Sequence, residues 1–195
     1  DTARMRRIPP FHAPADATRR SLLGAALAVP ALWVAGSRRS WADELPASRA
    51  LSLVNTHTGE SLLTRYVEAG QYVPAALDQL QHLLRDHRSG DAHPIDPQLF
   101  DVLYHVAARN GREPRFEVIS GYRSPASNQQ LRERSTGVAQ RSLHMDGKAI
   151  DVRLAGVDCA KLRDVALSMG CGGVGYYRRS NFVHLDTGRV RAWAG

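Results

Sequence analysis

The sequence lacks an apolar run long enough to cross a membrane. The stretch Leu22 to Gly36 is about fifteen residues, is interrupted by Pro30 and runs straight into Arg38-Arg39, whereas a spanning helix needs roughly twenty apolar residues. Cysteine is scarce: there are only Cys159 and Cys171. They sit at the two ends of a predicted helix, which separates them by about 16 Å, beyond the roughly 7 Å that a disulfide tolerates between Cα atoms. The expectation is two free, buried thiols that are neither paired nor metal ligands. The folded part also lacks a charge excess. Net charge is +7, but seven of the 26 basic residues and only two of the 19 acids fall in residues 1–42, so the remainder carries about +2. That removes most of the case for nucleic acid, which requires a basic stripe on the folded domain. What remains is an ordinary globular composition, 43% hydrophobic, of a length for one domain and a tail.

The tail reads as an export signal. Thr18-Arg19-Arg20-Ser21-Leu22-Leu23 resembles the twin-arginine consensus, the apolar run follows, and Ser40-Trp-Ala42 supplies the small residues that a signal peptidase reads. Residues 1–42 are therefore the expected signal segment, with a mature domain at 43–195, a periplasmic location and the twin-arginine export machinery as a partner. No cysteine lies beside the cleavage site, which argues against a lipoprotein.

Downstream, Arg49 to His57 alternates as a strand, Thr58-Gly-Glu turns, and Ser61 to Tyr66 returns as its hairpin partner. Tyr72 to Arg88 predicts a helix with Leu77, Leu80, Leu83 and Leu84 on its buried stripe. His57, His82 and His87 read as surface residues. Asp96-Pro97 opens a second helix, with Leu99, Val102, Leu103 and Val106 inward, a structural His105, and Gly111 closing it. Arg115 to Ser120 is a strand, and Ser124-Pro125 starts a short helix. Arg132 to Arg141 is a polar loop expected to wall a groove. Asp158 caps a helix over 159–169 that buries Leu162, Val165, Ala166 and Met169. The Gly170–Gly175 run follows a helix instead of opening one, so it predicts a tight turn and no phosphate cradle. Tyr176 or Tyr177 would border a cleft, and Arg189 to Trp193 is a terminal edge strand.

Chemistry concentrates in Ser142-Leu-His-Met-Asp-Gly-Lys-Ala-Ile-Asp151 and Phe182-Val-His-Leu-Asp186. His144 and Asp151 are seven residues apart, too far for one helical turn and unlike the His-Glu-x-x-His pattern. The spacing suits a loop that presents His144 and enters a strand carrying Asp151. Period two puts Ala149, Asp151 and Arg153 on one face, and Phe182, His184 and Asp186 together on another. Two imidazoles and a carboxylate with one open position make a common shell for catalytic zinc.

Ser-x-His-x-x-Gly-x-Ala-x-Asp at 142–151, Ser120-Gly-Tyr-Arg-Ser124 and Phe-Val-His-Leu-Asp-Thr-Gly at 182–188 together resemble the M15 family of zinc D,D-peptidases, in its DUF882 (YcbK-like) branch of murein endopeptidases. The resemblance covers about residues 48–195. It implies an α+β fold, a small central mainly antiparallel sheet with flanking helices, as in zinc D-Ala-D-Ala peptidases and Hedgehog-like metal-site domains. It also implies His144, Asp151 and His184 as ligands to Zn2+, and peptidoglycan stem peptides as substrate. Arg123 would pair with a peptide carboxylate or carbonyl, as its planar fork suits, and Ser142 would hold the loop presenting His144. Zinc would acidify a water and polarise the scissile carbonyl. The best-known family pattern has a Glu three residues before the last His; here that position is Asn181. Asp186 is then the expected base or the residue that orients His184, with Asp146 a weaker candidate. The expected activity is endopeptidase cleavage of stem-peptide cross-links. The alternatives are a D,D-carboxypeptidase or a non-catalytic zinc-containing module that binds cell-wall peptide.

Overall fold

A computed structural model describes residues 45–135 and 138–195; the expected signal segment and its cleavage site lie outside them. Among the described residues no helix is long and apolar enough to cross a membrane.

Eight strands of the described residues make one sheet: β1 (Arg49–Asn55), β2 (Ser61–Glu68), β3 (Gln71–Tyr72), β4 (Arg115–Ser120), β5 (Ala149–Leu154), β6 (Gly173–Tyr177), β7 (Phe182–Asp186) and β8 (Arg191–Ala194). Their order is β3-β2-β1-β4-β5-β7-β6-β8. The chain is α+β, but the sheet is not the small one expected. It is large and mixed, with parallel pairs β1–β4 and β6–β8 among antiparallel neighbours. Parallel partners need a long crossover, so no hairpin signal in the sequence announces them.

Among the described residues four helices accompany the sheet: α1 (Pro74–Leu83), α2 (Pro97–Arg109), α3 (Pro125–Arg134) and α4 (Cys159–Met169). Three of them start as their caps predict. The Asp96 carboxylate accepts from the Gln98 N–H, the Ser124 hydroxyl from the Ser127 N–H, and the Asp158 carboxylate from the N–H groups of Ala160 and Lys161. The first helix is shorter than the expected span of Tyr72 to Arg88. Pro74 pushes Val73 out of helical geometry, so Tyr72 stays extended and pairs with Val67. Arg132 to Arg134 complete α3 and do not belong to the loop.

The core lies between the helices and one face of the sheet. Leu99, Phe100, Leu103 and Val106 of α2 are fully buried, as are Ile150 and Val152 of β5, and each such side chain stabilises the fold by about 1.5–3 kcal/mol. Cys159 is buried as expected, Cys171 is only half-buried, and both are free thiols. His82 is exposed, but His87 is not simply solvated: it is half-buried, with its ring stacked on that of His57 at 3.9 Å.

Candidate metal centre

Strand β5 runs between β4 and β7 in the middle of the sheet. Register does the first part of the assembly. Asp151 on β5 lies directly opposite His184 on β7, and opposed residues of an antiparallel pair project from the same face with Cβ atoms about 5 Å apart. His144 arrives differently. It sits in a single 3-10 turn, Leu143–Asp146, that ends at Gly147 in left-handed geometry (φ 65°), a conformation glycine adopts without steric cost. The turn bends the chain straight into β5 and sets His144 over Asp151.

Three atoms converge. His144 Nε2 lies 3.1 Å from His184 Nδ1 and 3.3 Å from Asp151 Oδ1, and His184 Nδ1 lies 2.8 Å from that oxygen. All three residues are buried. The outer nitrogens fix the tautomers. His144 Nδ1 is 2.7 Å from the Gly121 carbonyl, which only accepts, so Nδ1 carries the proton and Nε2 points inward with a lone pair. His184 Nε2 is 3.1 Å from Asp186 Oδ2. Its other N–H donors keep that carboxylate ionised, and an ionised carboxylate only accepts, so Nε2 donates and, in the neutral ring, Nδ1 turns its lone pair inward. Three lone pairs aimed at one point repel one another unless a cation lies between them. Tetrahedral coordination at about 2.0–2.1 Å places ligand atoms about 3.3 Å apart, and the observed separations are only slightly tighter. The donor set fits a divalent cation.

The surroundings act oppositely on the two imidazoles. Burial drives His144 below the ordinary histidine range, against the pull of Asp151. Burial also pulls on His184, but its hydrogen bonds to Asp151 and Asp186 outweigh that and the net shift is upward. Burial would raise both carboxyls; instead the imidazoles hold Asp151 far below the carboxylate range, and His184 with Arg191 does the same for Asp186.

The Ser-Gly-Tyr-Arg element is the brace. A Cβ on Gly121 would lie 2.5 Å from the Leu84 carbonyl oxygen, so only glycine lets this segment approach α1 closely enough for its own carbonyl to meet His144. The Tyr122 N–H donates to the Leu84 carbonyl and the Arg123 N–H to that of His144. The Arg123 side chain reaches back over the centre. Its Nη2 is 3.7 Å from Asp151 Oδ2, and its buried Nε makes no hydrogen bond among the described residues.

Asp186 lies behind His184 and is 1% exposed. Its carboxylate accepts from His184 Nε2, the Gly173 and Gly188 N–H groups, and Arg191 at 2.6 and 3.1 Å. Asp146 is exposed and lies away from the cleft. The Ser142 side chain makes no capping bond; its carbonyl accepts the Met145 N–H, and the residue borders the cleft.

Strand β8 adds residues that sequence patterning missed. Trp193 faces Gly175, which in turn faces His184. A Cβ on Gly175 would lie 2.5 Å from the indole; without it, Trp193 reaches over to within 5.0 Å of the His184 ring. Its Nε1–H donates to the Tyr177 hydroxyl at 3.0 Å. The only hint in the sequence was Gly175 within a strand pattern, a mark of close backbone approach. The centre lies on the wall of a cleft of about 720 Å³, bordered by His57, Arg88, Arg123, Arg141, Tyr177, Arg191 and Trp193 among others.

A family model described as "Peptidoglycan L,D-endopeptidase MepK" matches residues 44–193. The chain is 46% identical over 148 residues to peptidoglycan L,D-endopeptidase MepK of Escherichia coli strain K12, covering 76% of this chain and 81% of that protein. It is 46% identical over 151 residues to the probable peptidoglycan L,D-endopeptidase MepK of Haemophilus influenzae, covering 77% and 81%. No solved structure matches the chain. With a family match over residues 44–193 and relatives 46% identical across most of their length, the chain belongs to the M15 branch described as peptidoglycan L,D-endopeptidase MepK.

Proposed function

We propose that the chain is a zinc-dependent peptidoglycan hydrolase, an endopeptidase that cuts an L,D peptide bond in the cross-links between stem peptides. The observation that carries this is the convergence of three inward lone pairs, on His144, Asp151 and His184, at the wall of an open cleft. The name shared by its relatives narrows the bond from the D,D type that the wider family suggests to an L,D one. Residues 1–42 act as the twin-arginine export signal in this reading, which delivers the domain to the periplasm, where peptidoglycan lies.

His144, Asp151 and His184 would hold zinc. When bound, zinc supplies a Lewis acid that acidifies water and polarises a carbonyl. The chain's own residues do the rest. The Gly121 carbonyl and Asp186 hold the two imidazoles in the tautomers that ligation requires. Arg123 borders the cleft beside Asp151 and would offer its guanidinium to the oxygen of a peptide lying there. Ser142 borders the same groove. Trp193 and Tyr177 wall it, shielding His184 from water. Asp186 is the residue that orients His184 and not the base, because both its oxygens are already occupied.

One observation favours a second reading. Among the described residues, Asp151 is the only carboxylate that borders the cleft, which also suits a non-catalytic module that holds zinc and binds cell-wall peptide. Incubation of the protein with cross-linked sacculi, followed by mass spectrometry of the muropeptides, separates the readings. Loss of cross-linked dimers, blocked by a chelator and restored by zinc, is expected. Loss of terminal D-Ala alone would make the protein a D,D-carboxypeptidase, and no product from zinc-loaded protein would leave the binding module.

A further inference from the structure

The charges around the cleft are one-sided. Among the described residues four arginines border it, Arg88, Arg123, Arg141 and Arg191, against the single carboxylate of Asp151. Two of the four are answered within the protein: Arg123 lies 3.7 Å from Asp151 and Arg191 lies 2.6 Å from Asp186. The side chains of Arg88 and Arg141 make no hydrogen bond or ion pair among the described residues. The backbone of Arg88 is held in place. The Arg88 N–H donates to Asp86 at 3.0 Å, and the buried Asp86 also accepts the Ser124 N–H at 2.8 Å. That ties Arg88 to the same segment that orients His144. Arg141 directly precedes Ser142 and the ligand-bearing turn. Burial disfavours the Arg123 charge and the neighbouring Arg88 adds to this against the pull of Asp151, so like charges gather along the cleft wall. An arriving anion relieves that repulsion, and a guanidinium fork is shaped for a carboxylate.

We propose that Arg88 and Arg141 form a carboxylate-recognising subsite, so that the preferred substrate is an acidic peptide with a free carboxylate flanking the cleaved bond, discriminated from the same peptide with that group amidated. This rests on the peptidase reading and specifies its substrate. Both side chains are exposed, so the effect is that of a partly solvated charge-assisted pair, roughly 5- to 20-fold in kcat/KM.

The test uses the zinc-loaded full chain and two synthetic cross-linked stem peptides that differ only in one carboxylate or carboxamide beside the scissile bond. Wild type is expected to prefer the acid by that ratio, with the preference shrinking as salt is added. Arg88→Gln combined with Arg141→Gln is expected to bring the ratio toward one, and Arg→Lys at both positions to retain part of it. Equal hydrolysis of both peptides by wild type would overturn the proposal, as would an undiminished ratio in the double Gln variant. If wild type cleaves neither peptide, the peptidase reading fails by itself. Calorimetric binding of the same two peptides to wild type and variant then decides the subsite on the same ratio.

Discussion

Replacing Asp186 by Asn removes one charge and turns one acceptor oxygen into a donor, at a carboxylate that receives N–H groups from His184, Arg191, Gly173 and Gly188. The Asn carbonyl can satisfy only one side. The backbone amides of Gly173 and Gly188 cannot move without shifting β6 and the turn after β7, so the carbonyl stays with them. The new NH2 then faces His184 Nε2. Two donors cannot face each other, so His184 gives up its Nε2 proton and takes one at Nδ1, the atom that must present a lone pair to the cation. Losing such an outer partner typically costs 10- to 100-fold in metal affinity, or about 1.4–2.8 kcal/mol. The assay is zinc competition against a chromogenic chelator, run beside hydrolysis of a cross-linked peptide at low and saturating zinc. Weaker zinc binding, with activity partly recovered at saturating zinc, is expected. Full zinc affinity with abolished turnover would refute the reasoning and return Asp186 to the role of base.

Gly175→Ala would drive a methyl into the indole of Trp193; an overpacking penalty of about 1–3 kcal/mol is expected in denaturant melts, with a fall in kcat/KM as the wall over His184 moves. Gly121→Ala would press on the Leu84 backbone and displace the carbonyl that holds His144, so zinc affinity should drop at least tenfold in the same competition assay. Asp86 is buried, which would raise its pKa, but donors from Ser127, Arg88 and Ser124 outweigh burial and hold it at about 2 against 3.8. Its stabilising contribution is therefore complete above pH 4 and is lost as pH falls through 2. Asp86→Asn should flatten that acid limb in stability-versus-pH measurements, and an unchanged limb would count against the assigned network.

The two segments that carry the candidate metal ligands were legible because strands are read at period two. That period alone put Asp151 on one face of Lys148–Leu154 and His184 with Asp186 on one face of Phe182–Asp186, as β5 and β7 show. Caps were equally local: Asp96, Ser124 and Asp158 each bond to backbone within three residues. The helix expected from Tyr72 failed at Pro74, where a short-range steric rule overrode the leucine stripe. The half-burial of His87 comes from its partner, His57, which lies on a different turn, and nothing in the neighbouring residues encodes that meeting.

The sequence by itself determined the chemistry available to this protein: two histidines and an aspartate on the right faces, the glycines that allow close approach, and the proline and cap positions that start its helices. These follow from interactions within a few residues of each other. The tertiary structure decided which of them meet. The opposition of Asp151 to His184, the parallel addition of β8 that brings Arg191 and Trp193 to the site, and the large mixed sheet all depend on pairing between strands remote along the chain. Such pairing is selected by burial and backbone hydrogen bonding across the whole domain, so no local window of residues contains it.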